Sequence, residues 1–161
     1  MFNDEDLGRF TTWILTQPEY ENSGFVASAN DHGSKTKTVL WAGPSTAMLA
    51  RLVSEADVRG IGLVIRQAKY SRADLARGCE AIFNTKATLI EVGFHLAAVE
   101  GTNLTHDGLT VRGFDPRSPA DHLDARLVQA VRMALGQIPD LHATIDGEDI
   151  RIAYGKGTLY Q

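Results

Sequence analysis

Read from the N-terminus, the apolar positions first fall at helical spacing, then alternate, then return to helical spacing. Between Leu7 and Thr16, the residues Phe10, Trp13 and Ile14 share one face of a short helix, with its aromatic side turned to the main body. Gln17-Pro18 ends it, because the residue before a proline is pushed out of the helical region. After the polar connector Glu19 to Ser23, the stretch Gly24 to Asn30 (GFVASAN) alternates weakly, as a strand does. Asp31-His32-Gly33-Ser34 is a turn in which glycine supplies the positive φ. Lys37 to Trp41 (KTVLW) is β-branched and aromatic, and makes the partner strand of a hairpin.

Gly43-Pro44-Ser45 stops that strand, and Ser45 is placed to cap a new helix. Met48, Leu49, Leu52, Val53 and Ala56 form its apolar face, opposite Arg51, Glu55 and Arg59, and Gly60 closes it. Gly62 to Gln67 is a short apolar run that returns as a strand, a split βαβ arrangement. Ser71-Arg72-Ala73-Asp74 has capping-box spacing and opens the next helix. Leu75, Cys79, Ile82 and Phe83 make its stripe, and Thr85 to Val92 extends it to Gly93.

From Phe94 the order repeats. Phe94 to Val99 and Leu109 to Phe114 are strands around the turn His106-Asp107-Gly108, matching Asp31-His32-Gly33. Ser118-Pro119-Ala120-Asp121 opens a helix whose buried side is Leu123, Leu127, Val131, Leu135 and Ile138, with Met133 fitting less well. Pro139 ends it. Leu141 to Ile145 is then the returning strand, and Asp146-Gly147 turns the chain into a last strand, Ile150 to Tyr154.

The expected fold is α/β (α+β): two related small subdomains, each a short antiparallel or mixed sheet with a helix packed on one face. The order is ββαβ, a linking helix, then ββαββ. The boundaries are 1–23 for the N-terminal helix and connector, 24–70 for the first subdomain, 71–93 for the linking helix, 94–154 for the second subdomain and 155–161 for the tail.

Composition narrows the class. Hydrophobic residues are 43% and charged residues 22% of 161 positions, enough apolar material for a real core. The net charge of −4 does not attract phosphate backbones, so nucleic acid is not an expected partner. No apolar run approaches the ~20 residues needed to cross a bilayer, and the acidic start MFNDEDLGRF lacks the pattern of an export signal. Together these give a cytoplasmic expectation, or a secreted one if the chain is a processed form. The single cysteine, Cys79, excludes an intramolecular disulfide.

Candidate chemistry is sparse. His32, His95, His106, His122 and His142 form no close ligand pair. His32 and His106, beside Asp31 and Asp107, occupy corresponding turns, and Asp, His and Gly are also good turn residues. Cys79 on an apolar stripe reads as a small hydrophobe rather than a nucleophile. No G-x-S-x-G or S-x-x-K occurs. Gly60-Ile61-Gly62 and Gly155-Lys156-Gly157 lack the strand-to-helix context of a phosphate loop. Gly43-Pro44-Ser45-Thr46 reads as a cap rather than an anion site. Lys35, Lys37, Arg66, Lys69 and Arg72 could form a basic patch, but read by default as charges that protect exposed strands. Trp13, Trp41, Phe25 and Phe94 read as core. No catalytic residue, cofactor or metal ligand is therefore assigned.

Gly24-Phe25, then Val39, Trp41 and Gly43-Pro44, then Tyr70-Ser71-Arg72-Ala73-Leu75 form a pattern over roughly residues 24–150. It resembles the pro-region of alpha-lytic-protease-like serine proteases of actinobacteria and related domains attached to their secreted proteins. The resemblance implies a small α/β domain that folds and inhibits a protease, binding it through a sheet edge and the C-terminal tail. This chain departs from the pattern in its N-terminal segment, the missing export signal and the missing attached protease. The expected function is a non-catalytic protein–protein interaction module, chaperone- or inhibitor-like or part of an assembly, whose partner is another protein or a second copy. The alternative is a small hydrolase or ligand- or metal-binding enzyme built on the turn residues of the two repeats.

Overall fold

A computed structural model describes residues 5–116, 125–136, 138 and 149–154. The chain divides into two units between Ser71 and Arg72. The first contains helix α1 (Glu5–Leu15), strands β1 (Phe25–Asp31) and β2 (Thr36–Ala42), helix α2 (Ala47–Val58) and strand β3 (Gly62–Ala68). In its sheet β2 is central, antiparallel to β1 and parallel to β3. The helix α2 therefore joins two adjacent parallel strands. The arrangement is an unsplit βαβ, a correction to the split form expected above, because no strand lies between β2 and β3.

The core of this unit lies under α1 and α2. Leu7, Phe10 and Ile14 from α1 meet Met48, Leu49, Leu52 and Ala56 from α2 over Phe25, Val39 and Trp41 of the sheet. The helix α1 thus packs into the core of the first unit. The Gly60 expectation holds: φ is +66°, and the Ile61 amide donates to the Ala56 carbonyl at 2.9 Å, closing α2. Three local readings change. The positive φ of the β1–β2 turn (50°) belongs to Lys35 rather than Gly33, because Asp31 Oδ1 accepts from the Gly33 amide at 3.0 Å and sets the turn earlier. The helix is capped at Thr46, one residue beyond Ser45, with no side-chain cap bond. Val53 is exposed, since it lies ~100° around the helix from buried Leu52.

The second unit contains α3 (Arg72–Asn84), α4 (Lys86–Glu91), β4 (His95–Glu100), β5 (Leu109–Phe114), α5 (Ala125–Leu135) and β6 (Ile150–Tyr154). The single helix expected over 71–93 is two, broken at Thr85, whose hydroxyl donates to the Ala81 carbonyl at 2.9 Å. Both α3 and α4 pack against α5 and β4. Leu75 and Ile82 are buried on α3, whereas Phe83 turns outward; Leu127, Val131 and Leu135 are buried on α5, whereas Met133 turns outward. Strand β5 is central, antiparallel to β4 and parallel to β6. Strand β6, expected at 150–154, lies beside β5, following the returning strand expected at 141–145. That stretch, the helix start at 118–121 and Leu123 lie outside the described residues.

Among the described residues each unit is therefore a helical segment followed by strand, strand, helix and strand. The registers show how closely the two correspond. Val39 stands opposite Ser28 and Ile65, and Val111 opposite Val99 and Ile152. Both hairpins shift register at the same step, between Phe25 and Ala27 and between Leu96 and Ala98. In this alignment Trp41 corresponds to Gly113. A Cβ on Gly24 would run into the Trp41 indole and the Ala42 carbonyl, and one on Gly113 into the Phe94 ring and the His95 carbonyl. The same corner is filled by an aromatic from β2 in one unit and from the entry to β4 in the other.

Because a backbone carbonyl blocks each site, Gly24→Ala and Gly113→Ala should each lower stability by about 2–4 kcal/mol. Gly8→Ala, in open space on α1, should be neutral or slightly stabilising. Urea unfolding of the three variants checks this; a neutral result at position 24 or 113 would show that the strands can separate locally.

Candidate functional site

Strand β3 is an edge of its sheet, with β2 on one side and no strand pairing its other side among the described residues. Its middle is open to solvent: Val64 is 45% and Ile65 39% exposed, and Arg66 and Gln67 are exposed beside them. The internal repeat gives a reference. Ile152 occupies on β6 the place that Ile65 occupies on β3, opposite the corresponding valine, yet it is 7% exposed. Helix α2, which precedes β3, also carries exposed Val58. An apolar, unkinked edge strand without proline offers backbone donors and acceptors to an incoming strand.

A second feature lies beneath α1. Lys37 alternates in step with Val39 and Trp41, and its side chain is fully buried at 0% exposure. Its ammonium donates to Thr11 Oγ1 on α1 and to Asn30 Oδ1 on β1, both at 2.5 Å, and lies 5.9 Å from the centre of the Phe10 ring. The Thr11 hydroxyl donates onward to the Leu7 carbonyl at 3.1 Å. Among the described residues Lys37 has no ion pair, while neighbouring Lys35 meets Asp6 at 3.2 Å. Burial pushes the Lys37 pKa down from 10.5 to about 8. The reading of Lys37 as a surface charge is corrected here; Val39 and Trp41, two and four residues on, were the signal that its parity points inward.

On the outer side of α1 lies an open groove of about 710 Å³, lined by Glu5, Gly8, Arg9, Thr12, Trp13, Thr16 and Arg59. Trp13 is only half-buried there, unlike Trp41, Phe25 and Phe94, which are core. Its arginines are already held: Arg9 by Glu5 at 2.9 Å, and Arg59 by Glu55 at 2.8 Å, with the Arg59 guanidinium 5.9 Å from the Phe10 ring centre. The groove is a shallow surface feature with its charges paired.

The turn residues serve the backbone. Asp31 caps its own turn, and hydrogen bonds from Ser34 and the Gly33 amide hold its carboxyl below the usual range. Asp107 accepts from Thr102, whose hydroxyl in turn accepts from the Gly108 amide at 3.0 Å. His106 Nε2 is 3.3 Å from the Asp149 carbonyl, which also receives the Leu109 amide. His95 stacks on Phe114 with ring centres 5.3 Å apart. Among the described residues no three His, Cys, Asp or Glu side chains are grouped to hold a metal. His122, His142 and Gly155-Lys156-Gly157 lie outside the described residues. Cys79 is half-buried against the Val99 carbonyl, and burial pushes its thiol pKa up, away from the reactive thiolate. Among the described residues no helix is long and apolar enough to cross a membrane.

No model of a known protein family matches this chain, and no curated protein is similar to it. Among the described residues, the open strand β3 and buried Lys37 both depart from what packing alone favours, as functional sites do.

Leu109 holds the Lys37 position in the second unit and is 0% exposed. Lys37→Leu should therefore raise stability at pH 7 by about 1–4 kcal/mol, as when other buried charges give way to packed apolar groups. Folded Lys37 loses its proton near pH 8, and the unfolded chain only near 10.5. Between those values the unfolded state binds more protons, so native stability should rise with pH across this window, and the deficit should be full below 8. The Leu variant should lack that rise. Denaturant unfolding at pH 7 and 9.5 measures both; equal pH slopes in the two proteins would refute the assignment.

Proposed function

We propose that this chain is a non-catalytic protein-interaction module whose contact element is β3, which accepts an extended strand of another polypeptide. The carrying observation is the exposure of Ile65 (39%) where its repeat counterpart Ile152 is 7% exposed. A strand added there would satisfy the outer backbone groups of β3 and cover Val64 and Ile65 in one step. The resemblance to protease pro-regions points to the same kind of contact, since a sheet edge is their implied binding element. A chaperone- or inhibitor-like role is one form this module could take, and self-assembly through β3 is another.

The test is site-resolved photo-crosslinking in the native host. A benzophenone amino acid at position 64 should give discrete protein adducts; the same probe at exposed position 133 on α5 should not. Ile65→Lys, which puts a charge on the strand, should reduce those adducts at least tenfold while leaving the thermal transition in place. Adducts of equal yield from both positions, or none from position 64, would remove β3 as the contact element. An adduct only with the chain itself would assign the module to self-assembly.

A further inference from the structure

Lys37 sits where α1 meets its sheet, in a position that the second unit fills with Leu109. The equivalent position of the other unit is packed with a leucine, so the ammonium is not what the fold plan requires there. We propose that protonation of Lys37 governs the docking of α1, making this helix a pH-responsive cover over the core of the first unit. The side chain spans the junction: Asn30 holds it from the sheet, while Thr11 and the Phe10 ring hold it from the helix. Lifting α1 returns the ammonium to water and removes its desolvation. Once the amine is neutral that gain vanishes, and the apolar contacts of Leu7, Phe10 and Ile14 hold the helix down.

The other charged groups around this junction are accounted for. On α1, Asp6 pairs with Lys35 and Glu5 with Arg9. From α2, Arg59 faces the same Phe10 ring and pairs with Glu55. In the hairpin turn, Asp31 is held by Ser34 and the Gly33 amide beside exposed His32. From β3, Leu63 stands opposite Lys37. Lys37 is the one charge in this group placed inside the core. With its proton leaving near pH 8, α1 opens more readily below that value than above it.

The test is hydrogen exchange of the full chain, by quenched flow and mass spectrometry, between pH 6.5 and 9.5. In the native protein the opening of α1, corrected for intrinsic exchange, should fall about twentyfold from pH 7.5 to 9.5, as one proton linked to opening requires. Lys37→Leu should show almost no fall, and Lys35→Met should keep it. Amides of α2 should exchange more slowly than those of α1, since the motion is local to the helix. Lys37→Met, closer in shape, serves if the Leu variant does not fold, and NMR titration of the Lys37 side-chain resonances reads the proton directly. The same pH slope in native and Leu proteins, or α1 and α2 exchanging together, would overturn the proposal.

Discussion

A three-stranded sheet can hide one face under helices, but its two outer strands keep a row of backbone groups open to water and to any strand that docks on them. The rest of this structure depends on that constraint. In both units the central strand, β2 or β5, is paired on both sides, and its core-facing valine is fully buried. The helices are placed by that face. Leu52 and Ala56 of α2, or Val131 and Leu135 of α5, lie on the side turned to the core, while Val53, one position on from Leu52, and Met133, two on from Val131, are left in water.

Two units with the same plan make the differences between them informative. The register step and the core valines are held in common, whereas the aromatic that fills the corner near the bulge comes from different strands. Packing fixes the volume to be filled and is indifferent to which strand supplies it. Against that background two positions stand out in the first unit. Ile65 stays exposed where Ile152 does not, and Lys37 replaces an apolar residue in the core. Each departs from the pattern of the other unit, and each lies on the same sheet, one at its edge and one under its covering helix.

Histidines and aspartates that seemed to echo each other across the repeats are engaged in building turns; the carboxylates of Asp31 and Asp107 satisfy nearby donors. Such residues recur in both halves because the same hairpin needs the same kind of turn. The buried amine of Lys37 is a strongly perturbed basic group, and it lies under α1 rather than in an open cleft.

Local chemistry was legible along the chain. Alternation located both hairpins, helical spacing located α1, α2, α3 and α5, and Gly60 marked the end of α2, because these signals act within a few residues. The duplicated order of elements was visible for the same reason. Pairing was not: that β3 lies directly beside β2, and β6 beside β5, depends on contacts between distant segments. The inward direction of Lys37 was written in the parity of Val39 and Trp41, but its charge argued for the surface. Only the tertiary structure, by laying α1 over that face of the sheet, decided that the lysine would be buried, and by leaving β3 at the edge, that Ile65 would not.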